Sequence, residues 1–168
     1  MLANGKYMDF LNPDPDAIDI PTIAASLSKQ CRFSGHTVRF YSVAEHCYWA
    51  SYVASPAHRL AALLHDAAEA FVVDVPTPLK DLLPDYRAIE ARFHDLIDEK
   101  FDVVTRHPEV KRADLIMLAT EKRDLLPPTR DWDMLSGIAP MTKSIDYYSG
   151  NPLIWERRFL NRYMELTQ

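Results

Sequence analysis

The chain has 168 residues, 48% hydrophobic and 26% charged, with a net charge of −5. That is the size and balance of one globular domain with a full core. The acidic balance excludes a surface that coats nucleic acid, which needs a basic patch, but allows a small phosphorylated ligand in a locally basic pocket.

Residues 1–18 read as an irregular N-terminal arm. Their sequence, "MLANGKYMDFLNPDPD…", lacks the charged-then-apolar layout of a signal peptide. Pro21 to Gln30 reads as a helix, with a proline in its first turn and Ile20, Ile23, Ala24 and Leu27 on one face. "CRFSGHTVRFY", Cys31 to Tyr41, is a polar-aromatic loop or short extended piece. Ser42 and Glu45 stand in capping-box spacing, so a helix starts near Val43, and Ser55-Pro56 ends it. The alanine- and leucine-rich stretch from Leu60 predicts one further helix, with Leu63, Leu64, Ala67 and Phe71 inward. It stops near Val73, ahead of Pro76 and Pro78.

"PDYRAIEARFHDLIDEKFD" is a longer amphipathic helix with Ile89, Phe93, Leu96 and Ile97 inward and His94 and Asp95 on its solvated side. "PEVKRADLIMLATEKRDLL" is another, started by Pro108 and stopped by Pro127-Pro128. Residues 129–150 lack periodicity and are expected to form a long loop, a candidate lid or binding element. Asn151 caps a closing helix, on which Trp155 and Phe159 are expected as exposed apolar side chains compatible with a homo-oligomer. No strand pair is evident. The expected fold is all-α: a compact single-domain bundle over residues 1–168, of about six or seven helices. Cys31 and Cys47 form neither a disulfide framework nor a CxxC zinc pattern, and no apolar run is long enough to span a bilayer. A reduced cytoplasmic setting, with no membrane partner, is expected.

Three of the core-facing stripes carry ionisable residues. His65, Asp66 and Glu69 lie within a sector of about 100° of their helix. His46 sits among Val43, Trp49, Ala50 and Val53, and Asp114 among Val110, Met117, Leu118 and Leu125. Unpaired buried charge is costly, so a common cause is sought. Convergence of His46, His65, Asp66 and Asp114 on one ion supplies it. Two neutral imidazoles and two carboxylates suit one divalent transition metal, Mn, Co, Zn, Fe or Ni; Mg and Ca prefer all-oxygen shells. An adjacent His-Asp pair cannot enclose an ion alone, so the other helices must close the shell.

This pattern resembles the HD-domain superfamily of metal-dependent phosphohydrolases, all-α bundles around a metal held by an H…HD…D set. It is closest to bacterial 5′-deoxynucleotidases and related phage deoxynucleotide hydrolases. "VAEHC" matches the first-ligand stretch, and Glu69, Asp74 and "PTPLK" stand at that branch's offsets from the His-Asp pair. "CRFSGHTVRFYSVAEH" is similar to a stretch of small phosphohydrolase-like proteins. The likeness covers roughly residues 4–126. Arg32-Phe33 stands where that branch has an Arg-Trp pair contacting the sugar, about one residue nearer the first ligand, and Cys47 replaces a serine.

The resemblance implies metal-dependent cleavage of a nucleotide's 5′ phosphoester, releasing nucleoside plus phosphate or triphosphate. Glu69 and Asp74 are then the candidate catalytic groups, handling the proton of the water or of the leaving oxygen. Arg32 and Lys80 are candidates for phosphate, Phe33 for stacking on sugar or base, and His36 and Thr37 for lining the pocket. The expected partner is a small nucleotide rather than a nucleic-acid polymer. The alternatives are a non-catalytic metal- or nucleotide-binding module, a helical interaction domain with a polar core, and a hydrolase of cyclic or signalling nucleotides.

Overall fold

Proline and short polar caps set most helix starts. Asp19, Ser42 and Asn151 each accept a hydrogen bond from a backbone N–H two or three residues on, and prolines occupy the first turns of several helices. The computed structural model describes all of residues 1–168. Eight α-helices follow: α1 Ile20–Leu27, α2 Val43–Val53, α3 Arg59–Leu64, α4 Glu69–Val72, α5 Thr77–Lys80, α6 Pro84–Phe101, α7 Pro108–Leu125 and α8 Pro152–Thr167. There is no strand, only an isolated bridge between Cys31 and Ser42. The fold is the expected all-α one.

α2 is the axis of the bundle. It packs against α3, α7 and α8 and touches α1. Its burial is therefore broader than one stripe: Glu45, His46, Cys47 and Ser51 are fully enclosed along with Val43 and Ala44. The main core joins Ile23, Leu27, Leu63, Leu64, Phe93, Ile97, Met117 and Leu125. A small second cluster, Ala54, Ala61, Ala62, Val110 and Ala113, lies where α2, α3 and α7 meet. Small side chains there let the helices approach closely, which brings their polar positions within reach of one another.

The structure corrects four expectations. The single helix from Leu60 to Val73 is two, α3 and α4. Across the join Ala67 N–H bonds Leu64 C=O and Glu69 N–H bonds Asp66 C=O, a tightened i→i+3 pattern. One cause is local: His65 Nδ1 lies 2.8 Å from the Ala62 carbonyl and takes it as a partner. Trp155 and Phe159 are wholly buried, because α8 packs them against α1 and α2; Leu153, Ile154 and Met164 form its exposed apolar side instead.

His94 is half-buried rather than solvated, with Nδ1 3.5 Å from Thr105 Oγ1, whereas Asp95 is exposed and paired with Arg106. Finally, the 129–150 loop does not stand free of the bundle: its second half is tied to it. Met141 N–H bonds Thr120 Oγ1, Ile145 N–H bonds Asp124 Oδ2, and Arg39 donates to the Ile145 carbonyl.

Candidate metal centre

α2 carries His46 inward and fully buried, one turn inside a helix start capped by Ser42. Its Nδ1 lies 2.5 Å from Glu121 Oε1. A carboxylate only accepts, so Nδ1 carries a proton, and in the neutral ring Nε2 offers the lone pair. His65 reaches the same state by another route: its Nδ1–H donates to the Ala62 carbonyl, which leaves Nε2 as the lone pair. The two Nε2 atoms face each other at 3.1 Å.

Two carboxylates complete the set. Asp114 Oδ1 is 3.3 Å from His46 Nε2 and 3.9 Å from His65 Nε2. Asp66 Oδ1 is 3.3 Å from His65 Nε2, and Oδ2 is 3.6 Å from His46 Nε2. Asp114 Oδ2 accepts from Lys111 at 2.8 Å and Asp66 Oδ2 from Arg32 at 3.2 Å. In their neutral forms the two imidazoles thus turn acceptors toward one point, beside two carboxylates.

A divalent transition ion with bonds of about 2.0–2.2 Å holds neighbouring ligand atoms about 3–3.5 Å apart. The three shortest spacings, 3.1, 3.3 and 3.3 Å, match that, the other two, 3.6 and 3.9 Å, are longer, and the donor set fits the ion. His46, His65 and Asp66 offer ligand atoms within 4.8 Å of one another, with both histidines buried. The electrostatics agree. Burial and the Arg32 charge push the His46 imidazole down, but Glu121 and Asp114 outweigh them and raise it to about 9. Burial works against the Asp114 carboxylate, yet the His46 hydrogen bond and the nearby charges of His65 and Lys111 hold it well below the usual range. The pocket favours positive charge.

Glu69 opens α4 and is buried, with Oε2 lacking any partner. Burial, with Asp66 and Asp74 beside it, pushes this carboxyl well above its ordinary value. Asp74, half-buried, is raised by burial as well. A clamp sets the spacing of these two. Gln30 donates to the Glu69 carbonyl at 2.9 Å and accepts from Asp74 N–H at 3.1 Å. Between them Val73 has φ 72° and ψ 153°, a region that suits glycine, and its carbonyl accepts from Tyr86 OH at 2.7 Å.

The remaining sequence candidates divide. Arg32 bridges Asp66 and Glu121, its second arm 3.4 Å from Glu121 Oε2, and lies 5.7 Å from the centre of the Phe33 ring. Phe33 and Ser34 both adopt left-handed backbone, followed by Gly35. Lys80 is near the centre but engaged, 2.5 Å from Glu90 Oε1. His36 is exposed, and the Thr37 hydroxyl turns back to the Arg39 carbonyl. Sequence reasoning missed Glu121, although it stands two turns after Asp114 on the same face of α7. It also missed Gln30, Glu90 and the fully buried Glu45, which holds Arg39 through two bonds of 2.9 and 2.7 Å.

No family model matches the sequence. Over nearly its whole length, however, it aligns with the uncharacterized protein YfdR of Escherichia coli (strain K12). Identity is 42% over 168 residues, covering 98% of this chain and 93% of YfdR. The chain belongs to the YfdR family. An uncharacterized protein of Rhodobacter capsulatus is 39% identical over 88 residues, 47% of this chain and 45% of that protein. The YfdR alignment is long enough to take in every segment that supplies the centre, from Arg32 to Glu121. No helix is long and apolar enough to cross a membrane.

Proposed function

We propose that the chain is a metal-dependent phosphohydrolase of the HD-domain type, cleaving the 5′ phosphoester of nucleotides, with deoxynucleoside monophosphates as the favoured substrates. The observation that carries this reading is the 3.1 Å pair of imidazole Nε2 atoms flanked by two carboxylates, with an unpartnered buried glutamate oxygen nearby. A bound Mn, Co, Zn, Fe or Ni ion would supply Lewis acidity toward a phosphoryl oxygen and a water. His46, His65, Asp66 and Asp114 would hold it.

The chain's own groups do the rest. Glu69 holds a proton on a buried oxygen and can pass it to the leaving 5′ oxygen, or take one from the attacking water in its ionised form. Asp74 takes the opposite proton role. Arg32 faces the phosphate with the arm that Asp66 now holds, and the Phe33 ring covers the sugar or base. The cation count favours few phosphates. Lys80 is paired with Glu90, Arg39 with Glu45, and Arg32 with Asp66 and Glu121, so little positive charge is left over for a long phosphate chain.

Product analysis tests the proposal. Protein loaded with Mn, Co or Zn is incubated with deoxy- and ribonucleoside mono- and triphosphates, and products are resolved by chromatography. Nucleoside plus inorganic phosphate from the monophosphates is the expected result. Nucleoside plus triphosphate would retain the chemistry and move the substrate. No nucleoside from any of them, with metal bound, would reject a nucleotidase and favour a binding module.

A further inference from the structure

We propose that Glu121 is the positioning residue of the centre: its carboxylate selects the tautomer and tilt of His46, so that Nε2 rather than Nδ1 faces the ion. The inference rests on the metal reading above. Three observations carry it. First, Glu121 is wholly buried, yet both oxygens are used: Oε1 meets His46 Nδ1 at 2.5 Å and the Tyr41 hydroxyl, which donates to it, at 2.8 Å, while Oε2 meets Arg32 at 3.4 Å. Its partners come from the 31–41 segment and from α2, while Glu121 itself sits on α7.

Second, Glu121 shares a helix face with Asp114, so α7 supplies both a ligand and the group that aims a ligand from α2. Third, His65 is aimed by a backbone carbonyl, which costs the chain nothing in buried charge. His46 lies mid-helix, where the carbonyls are committed to the ladder, and needs a side-chain acceptor. A carboxylate there also makes the imidazole a stronger donor to a metal.

A merely structural role predicts something different. Losing the charge would then cost stability, since Arg32 stays buried beside it, but leave the metal affinity unmoved. Glu121→Gln keeps the shape and removes the charge. In the metal-stripped protein, this variant is expected to fold with unchanged helical circular dichroism and a thermal midpoint below that of the wild type, because Arg32 loses a buried partner. Its affinity for Co(II) or Zn(II) should fall by roughly 10- to 100-fold, and the visible Co(II) bands should shift. Tyr41→Phe, which removes one donor to Glu121 without touching the centre, should weaken the metal several-fold.

The experiment uses the full chain, stripped with a chelator and titrated with Co(II) by absorbance and with Zn(II) against a chromophoric competitor. Wild-type protein that binds no ion overturns the metal reading, and this inference with it. A wild type that binds, beside an E121Q variant that binds equally with unchanged Co(II) bands, overturns only the role of Glu121. If E121Q does not fold, Tyr41→Phe decides by the same readouts, and unchanged affinity there overturns the proposal.

Discussion

Glu69 is the residue where burial and chemistry conflict most sharply. An unpartnered carboxyl oxygen inside the protein costs on the order of 1–3 kcal/mol, and only use justifies keeping it. Glu69→Ala is expected to bind metal as the wild type does and to lose most turnover; unchanged turnover would remove it from the mechanism. Val73, a few residues on, stores strain of another sort. Its φ of 72° costs a β-branched residue about 1–3 kcal/mol. Because it is 59% exposed, little packing depends on its side chain. Val73→Gly should therefore stabilise the fold by about 1 kcal/mol, raising the thermal midpoint by about 2–4 °C. A lower midpoint would show that the Gln30 and Tyr86 contacts hold the loop without strain.

At the scale of the elements, the caps and prolines made nearly every helix legible, because they act over three or four residues. The break between α3 and α4 was not legible. Its cause is the His65 side chain returning to the Ala62 carbonyl three residues back, and Leu60 to Val73 has unbroken helical periodicity. The 129–150 loop failed for the opposite reason. Its order comes from α7, through Thr120 and Asp124, and from Arg39, none of which is near it in sequence. Asp124→Ala should release the Ile145 amide, speeding its hydrogen exchange by about tenfold while the α2 amides stay protected. Equal protection at Ile145 would mean that the other tethers suffice.

Over the whole molecule, the candidate ligands were legible because each is a polar break in an apolar stripe, and three such breaks in one small bundle have few places to go. The supporting groups were not. Glu121, Glu90 and Glu45 look like ordinary solvated acids, since their partners lie elsewhere in the chain or on another turn. The four candidate ligands span α2, the α3–α4 join and α7, so a bound ion would tie together elements of the bundle that are far apart in sequence. At a free concentration a hundredfold above its dissociation constant it would add about 2.7 kcal/mol. A chain of this length should then melt roughly 5–10 °C higher with Co(II) or Zn(II) than after stripping. Asp114→Asn should abolish that gain, and a wild type whose melting ignores all such ions would refute the centre.

Trp49 stands three residues after His46 on α2, about one helical turn away. Its indole is nearly enclosed, with the Tyr148 ring 4.9 Å and the Lys143 ammonium 5.1 Å from it. The other two tryptophans sit on the loop, beside Lys122, and on α8. The helix that aims an imidazole at the centre therefore also carries a chromophore. Open-shell ions such as Co(II) or Ni(II) would dim its emission at that range, whereas Zn(II) would not. The chain would need no attached dye to signal an ion bound at His46.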